Sequence, residues 1–302
     1  MSEIRIDALL PQEMASRAEY LGVRKAEMPF LKTFMLAILA GAFIAIGAIF
    51  ATTVSAGAQA VTAADGTPAF SVGLPYGIVR LLSGLVFSLG LILVVVGGAE
   101  LFTGNNLIVM AWASGKVSLQ GLLRNWLIVY GGNFVGAVST AVLMFLTRQY
   151  MFGSNAVGIT ALKTAVAKCD YTFIQAVALG IMCNALVCMA VWLSYSARST
   201  VDKIMAIVFP ITAFVAAGFE HSVANMYFIP IGLLIKGFDP AFVAAVGKQV
   251  PHLDTLTWPA FLINNLLPVT IGNIIGGTVL VAGFYWIIYL RPARLQPPKE
   301  VK

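Results

Sequence analysis

Gly218-Phe219-Glu220-His221-Ser222-Val223-Ala224-Asn225 interrupts an apolar run reaching from about Ile204 to Ile235, and its reading decides the fold. A helix needs about 20 apolar residues to cross hydrocarbon, and lipid supplies no partner for free backbone groups. This run is too long for one straight crossing, and a glycine, a carboxylate and an imidazole sit within it. It reads as a broken membrane helix. A second overlong run, Gly77–Ala113, repeats the device, with Gly98-Ala99-Glu100 followed by Asn105 five residues after the acid, as Asn225 follows Glu220.

The remaining chain agrees with this reading. Of its 302 residues 59% are hydrophobic and only 11% charged, with mean hydropathy +0.89; a soluble domain carries about a quarter charged residues. Six stretches are long enough to span: Thr33–Ala56, Gly77–Ala113, Trp126–Leu146, Phe173–Tyr195, Ile204–Ile235 and Pro259–Leu290. The expected fold class is all-α integral membrane, with six transmembrane helices of which the second and fifth are broken. A channel domain over 33–290 is expected between an N-terminal segment, 1–32, and a tail, 291–302. Asn264 and Asn265 place the first turns of the sixth span at the outer interface. Met1–Lys32 lacks a short apolar core with a small-residue cleavage site, so the first span is expected to stay in the mature protein.

Charge sets the orientation. With a cytoplasmic N-terminus, the inner segments hold Arg5, Arg17, Arg24, Lys25, Lys32, Lys116, Arg124, Arg198, Lys203, Arg291, Arg294, Lys299 and Lys302. The outer side holds Arg80, Arg148, Lys163, Lys168, Lys236 and Lys248. The excess places both termini inside a cell (inner) membrane. Basic residues confined to short loops do not form a nucleic-acid stripe. Met14, Ala18 and Leu21 give Pro11–Lys25 one apolar helical face, as in a helix lying on the bilayer or on the protein.

The halves repeat. Gly132-Asn133-Phe134-Val135-Gly136 recurs as Gly272-Asn273-Ile274-Ile275-Gly276, one span after each break. Three spans per half make the second half enter from the opposite side, an inverted 3+3 repeat whose interface is where transporter sites form. The paired glycines let helix backbones approach closely, and packing is their preferred reading.

Glu100 and Glu220 are the acids inside apolar spans. Their symmetric positions favour a bracing role, accepting bonds from backbone N–H groups freed at the breaks. His221 differs, because its counterpart is Leu101; an ionisable ring at a helix break is a functional candidate. Half-helices beginning near Asn106 and Met226 would aim positive ends at the centre, a field for anions. Cys169, Cys183 and Cys188 lack a metal-ligand pattern and read as small packing residues, so neither metal nor cofactor is expected. An intramembrane acid–base enzyme built on Glu220 and His221 would need a nucleophile, metal or cofactor motif that the chain lacks. A neutral-solute pore of the aquaporin or ammonium type has less use for that pair, and twin Asn-Pro-Ala motifs are absent.

Val95-Val96-Gly97-Gly98-Ala99-Glu100-Leu101-Phe102-Thr103-Gly104 resembles the first motif of the formate/nitrite transporter family, and Gly180-Ile181-Met182-Cys183-Asn184-Ala185-Leu186-Val187-Cys188-Met189-Ala190 its second. Gly218–Met226 resembles its histidine-bearing break, and the likeness runs from about Leu9 to Leu290. Ala185 and Met189 depart mildly from the family pattern, and the outer loop around Ala58–Pro75 is longer. The resemblance implies an aquaporin-like protomer in a homopentamer, one pore per subunit, carrying formate or another small anion such as nitrite or hydrosulfide. It implies a central site of Thr103 and His221, an outer constriction of Phe87, Leu91 and Phe214, and an inner one of Leu101, Phe102 and Val187. Asn184 would bond the passing anion and Lys168, otherwise a loop lysine, would draw anions in. Entering an apolar ring strips a bare anion of water. His221, biased by Glu220, is therefore expected to lend or relay a proton to the cargo near Thr103.

Overall fold

Pro11, suited to a first helical position, opens α1 (Pro11–Ala26), and Glu13 accepts the Leu10 N–H at 3.0 Å. Glu13 in the first turn and Arg24 and Lys25 in the last suit the helix dipole. The structure, a computed structural model, describes residues 7–56 and 74–291. Within them α1 lies on the protein, with Met14, Ala15 and Ala18 buried beside Leu107 and Met110. The long loop expected around Ala58–Pro75 and the tail at 291–302 fall almost wholly outside the described residues.

After α1, α2 (Phe30–Ser55) crosses and α3 (Tyr76–Gly97) returns. Gly98 then takes a left-handed φ of 76°, a conformation that glycine adopts without steric penalty. The chain runs extended through Leu101 and re-enters a helix as α4 (Phe102–Asn105), a 3-10 turn (Asn106–Ile108) and α5 (Val109–Ala113). Ser118 caps α6 (Leu119–Leu146), which crosses back.

The second half repeats this order from the opposite end of the bundle. It comprises α7 (Ala156–Cys169), α8 (Phe173–Ser196), α9 (Thr200–Ala217), a break at Gly218 with φ 79°, and α10 (Ser222–Phe238). The short α11 (Pro240–Val246) turns the chain, and α12 (Leu267–Ile275) is the α-helical middle of the last span, Ala260–Leu290. Among the described residues six helices are long and apolar enough to cross a membrane, and spans two and five are broken. The half-helices begin at Phe102 and Ser222, four residues before the expected Asn106 and Met226.

The repeated glycines mark the closest helix approaches. A Cβ on Gly136 would lie 2.0 Å from the Ile38 carbonyl oxygen, and one on Gly276 would lie 2.2 Å from that of Ile181. Each half thus locks its fourth helix onto its second (α6 on α2, α12 on α8) by backbone contact.

Candidate functional site

Both breaks are held by the same set of side chains. At the first, Asn133 accepts the Phe102 N–H at 2.9 Å and donates to the carbonyls of Glu100 (2.9 Å) and Ala37 (2.8 Å). At the second, Asn273 accepts the Ser222 N–H at 2.9 Å and donates to Glu220 and Gly180, both at 2.9 Å. These amides explain why the half-helices start early: each satisfies a first-turn N–H from outside the helix. The sequence reading gave Gly132–Gly136 and Gly272–Gly276 a packing role and missed the asparagines. Their signal was an amide at the same place in both halves of an apolar span.

The bracing expected of the acids takes another form. Glu100 accepts from Lys25 Nζ and Asn105 Nδ2, both at 2.7 Å, rather than from backbone N–H groups. Glu220 accepts from Lys168 Nζ and Asn225 Nδ2, again both at 2.7 Å. Asn125 and Asn265 close the two networks, bonding Asn105 and Asn225 and also the carbonyls of Lys25 and Lys168. Two departures from expectation follow. Lys168 is in the last turn of α7, not a loop, and its charge is offset by Glu220. Asn265, expected at the interface, is fully buried because it completes this network.

Between the two networks His221 Nε2 lies 2.9 Å from Thr103 Oγ1, so one residue from each break meets its opposite. The Ala224 N–H donates to His221 Nδ1 at 3.0 Å, capping α10 and leaving the proton of a neutral ring on Nε2, facing Thr103. Phe214 stacks near this ring, centroids 6.0 Å apart, and meets Phe87 edge-on at 5.6 Å. On the α7 side a cavity of about 220 Å³ is lined by Arg80, Lys168, Phe87, Phe214, Glu220 and His221. On the α1 side one of about 260 Å³ is lined by Arg17, Lys25, Lys203, Glu100, Leu91 and Leu101. In each the basic groups outnumber the acid, so both concavities favour anions.

The other predicted residues divide. Leu91, placed with Phe87 and Phe214 in the outer ring, lines the α1-side cavity beside Leu101. Phe102 packs on Tyr130 and Trp126, at 4.8 and 6.0 Å between centroids, and so turns toward α6. Val187 is buried in the core. Asn184 is spent within the fold, donating to the carbonyls of Thr103 (3.3 Å) and Asn273 (2.7 Å) and to Asn106 Oδ1 (3.0 Å). All three cysteines are buried and unpaired, and among the described residues no cluster of ligand side chains could hold a metal.

Residues 12–287 match the formate/nitrite transporter family. The chain belongs to that family. It is 50% identical over 286 residues to the formate channel FocA of Escherichia coli K12, covering 94% of this chain and 96% of the relative. It is 41% identical to FocA of Haemophilus influenzae (92% and 93%) and 37% identical to a probable formate transporter of Methanothermobacter thermautotrophicus (93% and 97%). A solved pentameric formate channel with formate bound superposes with TM-score 0.76 at 46% identity, over 86% of this chain and 98% of that one. The family is one of membrane transport proteins, so the chain is a transporter or channel and not an enzyme. Within that fold the Thr103–His221 pair is where the two breaks meet.

Proposed function

We propose that this chain forms a pore for small monovalent anions, formate first, with one pore per subunit of a homopentamer in the cytoplasmic membrane and both termini on the cytoplasmic side. The observation that carries the reading is the Thr103–His221 contact of 2.9 Å between two cation-rich cavities. The similar pentameric channel with formate bound supports the cargo and the assembly, and the excess of basic residues on the α1 side supports the orientation.

The chemistry follows from desolvation. An anion entering from either cavity is drawn by lysine and arginine and then meets apolar walls, where the charged form is disfavoured. The Nε2–H of His221 and the Thr103 hydroxyl can both donate to a carboxylate oxygen there. A ring that has taken up a second proton at Nδ1, in place of the Ala224 N–H bond, is an imidazolium and can pass its Nε2 proton to that oxygen; the products are a neutral imidazole and neutral formic acid, which passes the Phe87–Phe214 ring without its charge. The imidazolium is restored when Nε2 takes a proton from the aqueous cavity. Nitrite and hydrosulfide carry the same single charge, and competition against labelled formate ranks them.

Proteoliposomes test this. Wild-type protein should carry formate in a pH-dependent way and exclude sodium and potassium. His221→Asn should keep anion selectivity, because the cavities are unchanged, and lose most of the pH dependence. Full retention of proton-coupled flux in that variant removes the relay. Absence of formate uptake by wild type removes the pore itself.

A further inference from the structure

The two breaks share every brace described above, but the second is gripped by one further side chain. From α3, Arg80 donates through Nε to the Ala216 carbonyl at 3.1 Å and through Nη2 to that of Val215. These carbonyls end α9, where the chain turns at Gly218 and helical partners run out. Among the described residues no side chain donates to the corresponding carbonyls of α3, those of Val95 and Val96, and the residue matching Arg80 in the second half is Thr200.

The grip falls on a segment that needs it. Pro210 lies inside α9, and a proline within a helix removes one backbone hydrogen bond and weakens the joint. Beyond it Ile211–Ala217 forms only two turns, and Phe214 projects from them. On the α3 side the contacts fall on one face: Ser88 Oγ donates to the Val208 carbonyl at 3.3 Å, Gly84 abuts the Thr212 backbone, Phe87 meets Phe214, and Arg80 closes the far end. No carboxylate pairs with Arg80 among the described residues, so its donors serve the α9 carbonyls beside the cavity it lines.

We infer that Arg80 is a positioning residue for the α7-side constriction: by holding the last carbonyls of α9 it fixes Phe214 between Phe87 and His221 and so sets the aperture. Releasing it lets the two-turn segment swing about the Pro210 joint and widens the gap. This rests on the anion-pore reading, but the aperture can be measured without any cargo.

The test uses full-length protein in liposomes, with wild type, Arg80→Gln and Arg80→Lys compared at equal pentamer content. Two readouts are taken: the uptake ratio of acetate to formate, and osmotic water permeability by stopped-flow shrinkage. Arg80→Gln should raise the acetate-to-formate ratio at least threefold and raise water permeability, beyond any rise in formate half-saturation from the lost cavity cation. Arg80→Lys keeps one charged donor and should fall between wild type and Arg80→Gln. An unchanged ratio and water permeability, with a raised formate half-saturation, would make Arg80 an anion attractor only and overturn the inference. Should wild type carry no anion, the pore reading fails while water permeability still judges the clamp.

Discussion

His221 was legible in the sequence because it broke a symmetry: Leu101 holds the equivalent place. The asparagines that do the bracing were not, since a residue type between two glycines says nothing about which atoms its amide meets on another helix. The structure gives Asn273 three partners across two elements, none exposed to water. Asn273→Ala leaves one N–H and two carbonyls short of a bond, at about 1–3 kcal/mol for each group left unsatisfied. The variant should melt well below wild type in detergent. Asn264→Ala, at the exposed neighbour of buried Asn265, should change stability by no more than about 0.5 kcal/mol. Equal melting of the two variants would refute the bracing role.

At the level of elements, apolar length and interrupting glycines revealed the spans, whereas their ends depended on partners elsewhere in the fold. The half-helix starts were misplaced by four residues because Asn133 and Asn273 reach in from α6 and α12. The loop elements beyond α10 gave no periodic signal, yet one is tightly capped. Asp239 accepts the Phe242 N–H at 3.0 Å and the Tyr150 hydroxyl at 2.7 Å, with Arg148 at 3.3 Å. The Phe242 N–H, then the Tyr150 hydroxyl and Arg148, hold this carboxyl below its ordinary value. A lowered folded value means the unfolded chain binds the proton more readily. The stabilisation is therefore full above the unfolded value, about 3.9, and fades as pH falls through the lower folded one. The melting-temperature gap between wild type and Asp239→Asn should stay constant from pH 7 to about 4.5 and shrink toward pH 3. A gap that grows on acidification would reverse the assignment.

Across the whole molecule the sequence showed two halves of three spans, but the structural repeat has a fourth member in each. The short helices α1 and α7 occupy matching places, each sending one lysine to the buried acid of its own half. The symmetry of Glu100 and Glu220 was visible; Lys25 and Lys168 lie in unlike sequence, so only the fold shows them as a pair. Glu100 is 4% exposed, and a buried acid that loses its cation is left as an uncompensated charge, destabilising by about 3–5 kcal/mol. Lys25→Met should lower the unfolding temperature and the yield of assembled protein, and adding Glu100→Gln should restore most of both. If the double variant is no better than the single, Lys25 is not there for Glu100.

These lysines also come before their acids along the chain, by 75 residues for Lys25 and Glu100 and by 52 for Lys168 and Glu220. Ribosomes deliver the polypeptide from its amino end, so each countercharge is made before the carboxylate it must neutralise. A nascent chain stopped just past α5 already contains both Lys25 and Glu100, and should resist extraction from the membrane better than the same fragment carrying Lys25→Met.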